Sequence, residues 1–135
     1  MNLDTLCIFC QQQEETRDHL FLFCPVAALI WQNIRSLAGR SDPIIGWEQE
    51  IKSLLTRTRQ AHKKKYLLGS LFTAYVATIW HERNLRIFQH KSRQLGALLK
   101  CIILQVSSIF VTSSLSVEFG QWLGLLDVIA YNARL

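Results

Sequence analysis

An all-α fold, in which a small N-terminal Cys/His module is packed on or followed by a helical bundle with one long helix, is what the 135-residue sequence predicts. Three observations carry that expectation. Apolar residues recur at helical spacing in several stretches, most clearly Leu67, Leu68, Leu71, Phe72, Tyr75, Val76, Ile79 and Trp80, continued by Ile87 and Phe88. Four side chains of metal-ligand type fall within the first 24 residues: Cys7, Cys10, His19 and Cys24. A hydrophobic content of 50% and a mean hydropathy of +0.15 are ample for one buried core at this length.

The N-terminal module follows the spacing Cys-x2-Cys-x8-His-x4-Cys. Thiolate sulfur and imidazole nitrogen hold zinc tetrahedrally, and four protein ligands close the site, which makes it structural; a catalytic zinc keeps a position open for water. The expected cofactor is therefore one structural Zn2+. Free thiols or a redox Cys-x-x-Cys are the alternatives the residues leave open. A redox pair belongs at a strand-to-helix junction of a βαβ unit, and no such pattern surrounds Cys7. Four cysteines in 135 residues, after a start Met1-Asn2-Leu3-Asp4 with neither a basic nor an apolar leader, point away from a secreted disulfide framework and toward a reducing compartment, nuclear or cytoplasmic. Zinc in small fingers contributes roughly 10–16 kcal/mol, far more than a local cluster of Phe9, Leu20 and Phe23 supplies. Loss of Cys10 or His19 is thus expected to unfold this module and spare the long helix.

The helices follow in order. Thr16 is placed to cap a short turn carrying His19 and Phe23 on one side. Pro25 suits the first position of a helix whose Val26, Leu29, Ile30, Ile34 and Leu37 recur until Gly39, so Cys24 sits at a helix N-terminus, where the dipole favours a thiolate. A second helix is expected from Trp47 through Ile51, Leu54 and Leu55, a third from about Ala61 to His90, and a fourth from Ser92 with Leu95, Leu98, Leu99, Ile102, Val106 and Ile109 or Phe110 inward. Residues 116–131 are apolar without a clear type, since Gly120 and Gly124 weaken a helix there. The seams are Ala38–Pro43 and the polar Thr56–Lys65. Residues 1–38 then form the zinc module and first helix, and 39–135 a helical region continuous with it. No apolar run reaches the roughly 18 residues of a membrane span, because Lys100, Gln105 and serines interrupt Leu98–Val117.

Charge is unevenly distributed about the net +5. Residues 1–30 carry Asp4, Glu14, Glu15 and Asp18 against Arg17, whereas Arg57, Arg59, Lys63, Lys64 and Lys65 stand together without an acid. Residues 81–100 carry Arg83, Arg86, Lys91, Arg93 and Lys100 against Glu82 alone.

Cys7-x2-Cys10, Glu15-Thr16 before His19-Leu20-Phe21, Cys24-Pro25 and Trp31, followed downstream by Ile79-Trp80-His81-Glu82-Arg83-Asn84 and Arg86-Ile87-Phe88, resemble the reverse-transcriptase zinc-binding domain of plant LINE-type non-LTR retrotransposons. The resemblance spans about residues 7–88 and joins two motifs in the expected order. It implies Cys7, Cys10, His19 and Cys24 as the zinc ligands, a nuclear retroelement origin, and an association with nucleic acid and with a reverse transcriptase. Met1 stands six residues before the first ligand, as in a shortened reading frame.

Enzymatic chemistry is not expected. A polymerase holds two metal ions on paired acids, and the aspartates are Asp4, Asp18, Asp42 and Asp127, widely scattered. A zincin helix needs a second His four residues after His81, where Leu85 stands, and no nucleophile-elbow, dinucleotide or phosphate-loop motif occurs. No small-molecule substrate is implied. His62, His81 and His90 read as solvated or hydrogen-bonding helix residues and not as ligands, and Cys101 as a small core hydrophobe. Trp31 and Trp47 read as packing anchors; Trp80 and Phe88 continue the apolar stripe, so core packing is favoured over base stacking.

Three thiolates and a neutral imidazole leave a zinc centre at −1 in an acidic segment, so the finger itself should repel phosphate. The expected contacts to an RNA or DNA backbone are Arg57, Arg59, Lys63, Lys64, Lys65, Arg83, Arg86, Lys91 and Arg93. A solvated basic surface is the equal alternative. A different functional class also stands: a scaffolding module that docks on the polymerase or self-associates through the apolar surplus at residues 98–126, without nucleic-acid binding. A degenerate element remnant is a third reading.

Overall fold

The computed structural model describes residues 5–37, 39–55 and 62–110. Four α-helices, α1 (Leu29–Leu37), α2 (Trp47–Leu55), α3 (His62–Phe88) and α4 (Leu95–Phe110), follow a π-helical turn at His19–Phe23. Among the described residues there is no strand, only an isolated antiparallel bridge between Leu6 and Glu14. The all-α expectation holds, and α2 occupies the span anticipated for it. None of the described helices is long and apolar enough to cross a membrane. The apolar segment 116–131 lies outside the described residues.

One buried cluster runs from Cys7, Phe9 and Leu20 through Ile30, Trp31 and Ile34 to Leu71, Tyr75, Ile79, Leu98 and Ile102, so the finger and the helices share a core. Trp31, fully buried, lies against Phe72 and Tyr75 with ring centroids 4.7 and 5.9 Å away. Trp47 meets Phe21 and Phe72 at 5.7 and 5.6 Å. Both tryptophans are the packing anchors their context suggested.

Gly39, beyond the end of α1, has a φ of +75°, costly for any residue with a Cβ. Its N–H donates to Ser36 O and that of Arg40 to Arg35 O, each at 3.0 Å, the paired bonds of a Schellman cap. Arg40 then joins buried Arg35 on the buried carboxylate of Glu50, at 2.8 and 3.0 Å, and both arginines reach Asp42. These bonds clamp α2 onto α1. Helix α3, expected from about Ala61 to His90, spans His62–Phe88, and residues 56–61 of the expected seam lie outside the described residues.

The stripe on α3 corrects two expectations. Trp80 is 49% and Phe88 75% exposed, so neither packs in the core. The reason is the helical angle. At about 100° per residue, position 80 stands about 120° around the helix from Leu68, while 75, 79 and 82 stay within about 40°. A strict i, i+4 series drifts off the core face. The inward positions are Leu68, Leu71, Phe72, Tyr75, Ile79 and then Glu82, which is 0% exposed.

Buried Glu82 is satisfied by two arginines that fix the turn into α4. Arg86 Nε donates to Oε1 at 3.3 Å; Arg93 gives its backbone N–H to Oε1 at 2.6 Å and its Nε to Oε2 at 3.1 Å. His90, at φ +51°, reverses the chain between them. Helix α4 packs on α3 through Leu98, Leu99, Ile102 and Val106, with Gln105 donating to Thr78 Oγ1 at 2.9 Å. Cys101 is only half-buried and receives Arg93 Nη1 at 3.5 Å, so it is less apolar in setting than expected. His81 and His90 are exposed; the side chain of His62 lies outside the described residues, as do those of Ile109 and Phe110.

Candidate metal centre

The first two cysteines sit on a knuckle shaped by the backbone. Cys7 N–H donates to Gln13 O and Glu15 N–H to Thr5 O, both at 2.8 Å, pairing the two arms. Gln11 turns the chain at φ +58°, its N–H bonded to Cys7 O at 2.9 Å. This loop returns Cys10 beside Cys7.

The other two ligand candidates come from the π-turn. Thr16 Oγ1 accepts the His19 N–H at 3.0 Å and so starts the turn, as its position suggested. Cys24 N–H then donates to His19 O at 2.6 Å, a bond spanning five residues. That extra residue stacks position 24 over position 19, whereas an α-turn would stack position 23 there. The difference corrects the expected pairing of His19 with Phe23: Phe23 is turned out to 45% exposure and does not join Phe9 and Leu20, while Cys24 is fully buried. Cys24 heads the turn into α1, with its Sγ accepting the Ala27 N–H at 3.4 Å and its carbonyl the Ala28 N–H at 3.0 Å.

The four donor atoms lie within 4.8 Å of one another. Cys7 Sγ is 3.9 Å from Cys24 Sγ, and Cys10 Sγ is 3.3 Å from His19 Nε2. A tetrahedral zinc with Zn–S of about 2.3 Å and Zn–N of about 2.0–2.1 Å requires S···S near about 3.8 Å and S···N near about 3.5 Å. The Cys7–Cys24 and Cys10–His19 separations match those values, and the 4.8 Å bound on the set leaves room for one ion at its centre. Cys7, Cys24 and His19 are buried and Cys10 partly so, which suits a closed structural site.

Electrostatics around the thiols favour anionic sulfur at one position first. Hydrogen bonding to Cys7 pulls the Cys24 thiol down to about 7 against the opposing effect of burial, and the N–H groups of Ala27 and Val26 add to the lowering. The same hydrogen bond, followed by burial, pushes Cys7 well above the ordinary thiol range, although the N–H groups of Cys10 and Phe9 act in the other direction. One proton thus rests on Cys7 and must leave when a cation is held between them.

Residues of α3 hold the knuckle from outside. Tyr75 donates its hydroxyl to Phe21 O at 2.8 Å or Ala27 O at 3.2 Å. Arg83 pairs with Glu15, and the Arg86 guanidinium lies 4.4 Å above the Phe9 ring. On the other side, Asp18 accepts the N–H of Trp47 at 3.4 Å and Arg17 stacks 5.0 Å from that indole. The spacing of ligands gave no sign of these supports. Tyr75 and Glu82 do fall on the inward face of α3, which is the signal that a polar group there serves the interior.

The expected phosphate contacts divide. Arg57 and Arg59 lie outside the described residues. Lys63, Lys64 and Lys65 fall in the first turn of α3, with their side chains undescribed. Lys91 is exposed. Arg83, Arg86 and Arg93 meet the protein's own carboxylates, Glu15 and Glu82, and also position the knuckle or the α3–α4 turn.

Residues 1–31 match the model of a family described as zinc-binding in reverse transcriptase. The matched segment contains all four clustered residues, the knuckle, the π-turn and the start of α1. Family match and donor geometry together make this a zinc-binding module. No curated protein and no solved structure matches the chain.

Proposed function

We propose that the chain is a non-enzymatic helical module, organised by one Zn2+ on Cys7, Cys10, His19 and Cys24, that assists RNA or DNA binding through backbone contacts in the setting of a retrotransposon reverse transcriptase. The observation that carries this reading is the charge of residues 62–110, which hold eight lysines and arginines and one acid, Glu82, completely buried. Every exposed charge of α3, the turn after it and α4 is therefore cationic, which suits a polyanion. A non-catalytic role is supported by the carboxylates, since Glu15, Asp18, Asp42, Glu50 and Glu82 each engage an arginine, and the one pair brought together, Asp42 and Glu50, is held by Arg35 and Arg40. The acidic flank of the finger argues that zinc shapes the fold and leaves phosphate to the helices.

The test is the salt dependence of binding to RNA and DNA oligonucleotides, for the zinc-loaded chain and for the triple variant Lys63→Gln, Lys64→Gln, Lys65→Gln. Each lost contact should lower the slope of log affinity against log salt by about 0.7–0.9. An unchanged slope contradicts the assignment of those lysines. The second reading, a surface for the polymerase or for self-association, is favoured by Phe88 and Leu104, 75% and 68% exposed. Salt-independent self-association with no affinity for oligonucleotides would establish it instead.

A further inference from the structure

We propose that Trp80 is a stacking platform for an unpaired nucleobase, which makes single-stranded RNA or DNA the substrate class of the cationic helical surface; this rests on the nucleic-acid reading above. Trp80 is turned out from the core face of α3 and is 49% exposed even with the Arg83 guanidinium 4.6 Å from its ring centroid. Arg83 is itself held in place, by the Glu15 carboxylate and by Asn84 Oδ1 at 3.1 Å. The indole is thus presented by a rigid helix with one contact fixed, so little side-chain freedom is lost when a second planar group lies on it.

The choice of a base over a protein side chain follows from the surroundings. The immediate neighbours of Trp80 on its side of α3 form only a thin apolar rim: the preceding turn offers half-buried Val76 and the small exposed Ala77, Thr73 lies two turns back, and the next residue is exposed His81. The nearby acids do not oppose an anionic strand, because Glu82 is buried on Arg86 and Arg93 and Glu15 is paired with Arg83. A half-exposed indole backed by Arg83, on a helix with no exposed carboxylate and with Lys63, Lys64 and Lys65 in its first turn, combines the two elements by which single strands are bound without sequence preference: an aromatic face for the base and a cationic helix for the backbone. Stacking does not release counterions, so its loss lowers affinity while leaving the salt slope intact.

The experiment compares zinc-loaded wild type, Trp80→Ala and Trp80→Phe, binding oligo-dT and oligo-U of 15 nucleotides and a duplex of equal length, across a salt series. Alanine is the best helix former and position 80 is exposed, so the fold should survive, as circular dichroism will verify. The expected result is about 5- to 150-fold weaker binding of both single strands by Trp80→Ala, substantial recovery with Trp80→Phe, an unchanged salt slope, and no change for the duplex. If Trp80→Ala binds single strands like wild type, the platform is overturned while the cationic-surface reading stands. If wild type binds no oligonucleotide at low salt, both fail. Loss of self-association by Trp80→Ala in sedimentation would then make the indole a protein contact.

Discussion

The hydroxyl of Tyr75, in the middle of α3, donates to the backbone carbonyl of Phe21 at 2.8 Å, tying the turn that carries His19 to the longest helix of the bundle. Phe21 lies between His19 and Cys24, two of the four candidate ligands. The bond spans 54 residues of sequence and is buried at both ends. The finger thereby shares the helical core, which predicts that its folding is coupled to that of α3. The expectation that the module would unfold alone on loss of a ligand is to be judged against this coupling.

Removal of that hydroxyl by Tyr75→Phe leaves two buried carbonyls, those of Phe21 and Ala27, without their donor. The expected destabilisation is about 1–3 kcal/mol, read by urea unfolding of the zinc-loaded protein. Zinc affinity, measured by competition with a chelator, should fall as well. A purely local role for Tyr75 would leave the affinity unchanged.

Glu82→Gln keeps the volume but leaves the Arg86 and Arg93 guanidiniums without the buried anion they share. Breaking a fully buried ion pair from one side costs about 3–5 kcal/mol; Arg86 and Arg93 keep 19% and 36% exposure, so a smaller loss in unfolding free energy, about 1–3 kcal/mol, is expected. Because Arg93 also gives its backbone N–H to this carboxylate, the turn at 89–94 should gain the fastest amide exchange. Stability equal to wild type would show that the network contributes no net energy.

The four ligand candidates and the helical class were legible because ligand spacing and apolar periodicity are local properties of a sequence. The side chains that join the finger to the bundle were not. Charge alone marked Arg83 and Arg86 as phosphate contacts; that they also meet Glu15 and Glu82 is revealed only by the packing of the knuckle on α3 and the reversal at His90. Trp80 looked like core because an i, i+4 series was followed past the point where it leaves the inward face. Phe23 looked like a partner of His19 because helical spacing assumes four residues per hydrogen-bonded turn, and the π-turn inserts a fifth.

Zinc binding should weaken as pH falls. A bound cation requires thiolates, so the thiol pKa values are lower in the loaded state; the stabilisation is present at higher pH and is lost as protons return. Cys24, already near 7, is partly ionised at neutral pH, whereas Cys7, raised above the ordinary range, gives up its proton to the metal. Calorimetric titrations in two buffers of different ionisation enthalpy should show proton release at pH 7 and a falling affinity from pH 8 to 6. Binding without proton release would mean that Cys7 is not a ligand.

The most direct measurement is zinc per chain, by native mass spectrometry on the reduced protein, with Cys10→Ser alongside. The donor geometry predicts one zinc per wild-type chain and its loss in the variant. A wild-type chain without zinc, or zinc retained in full by Cys10→Ser, would contradict the four-ligand centre on which the fold is proposed to depend.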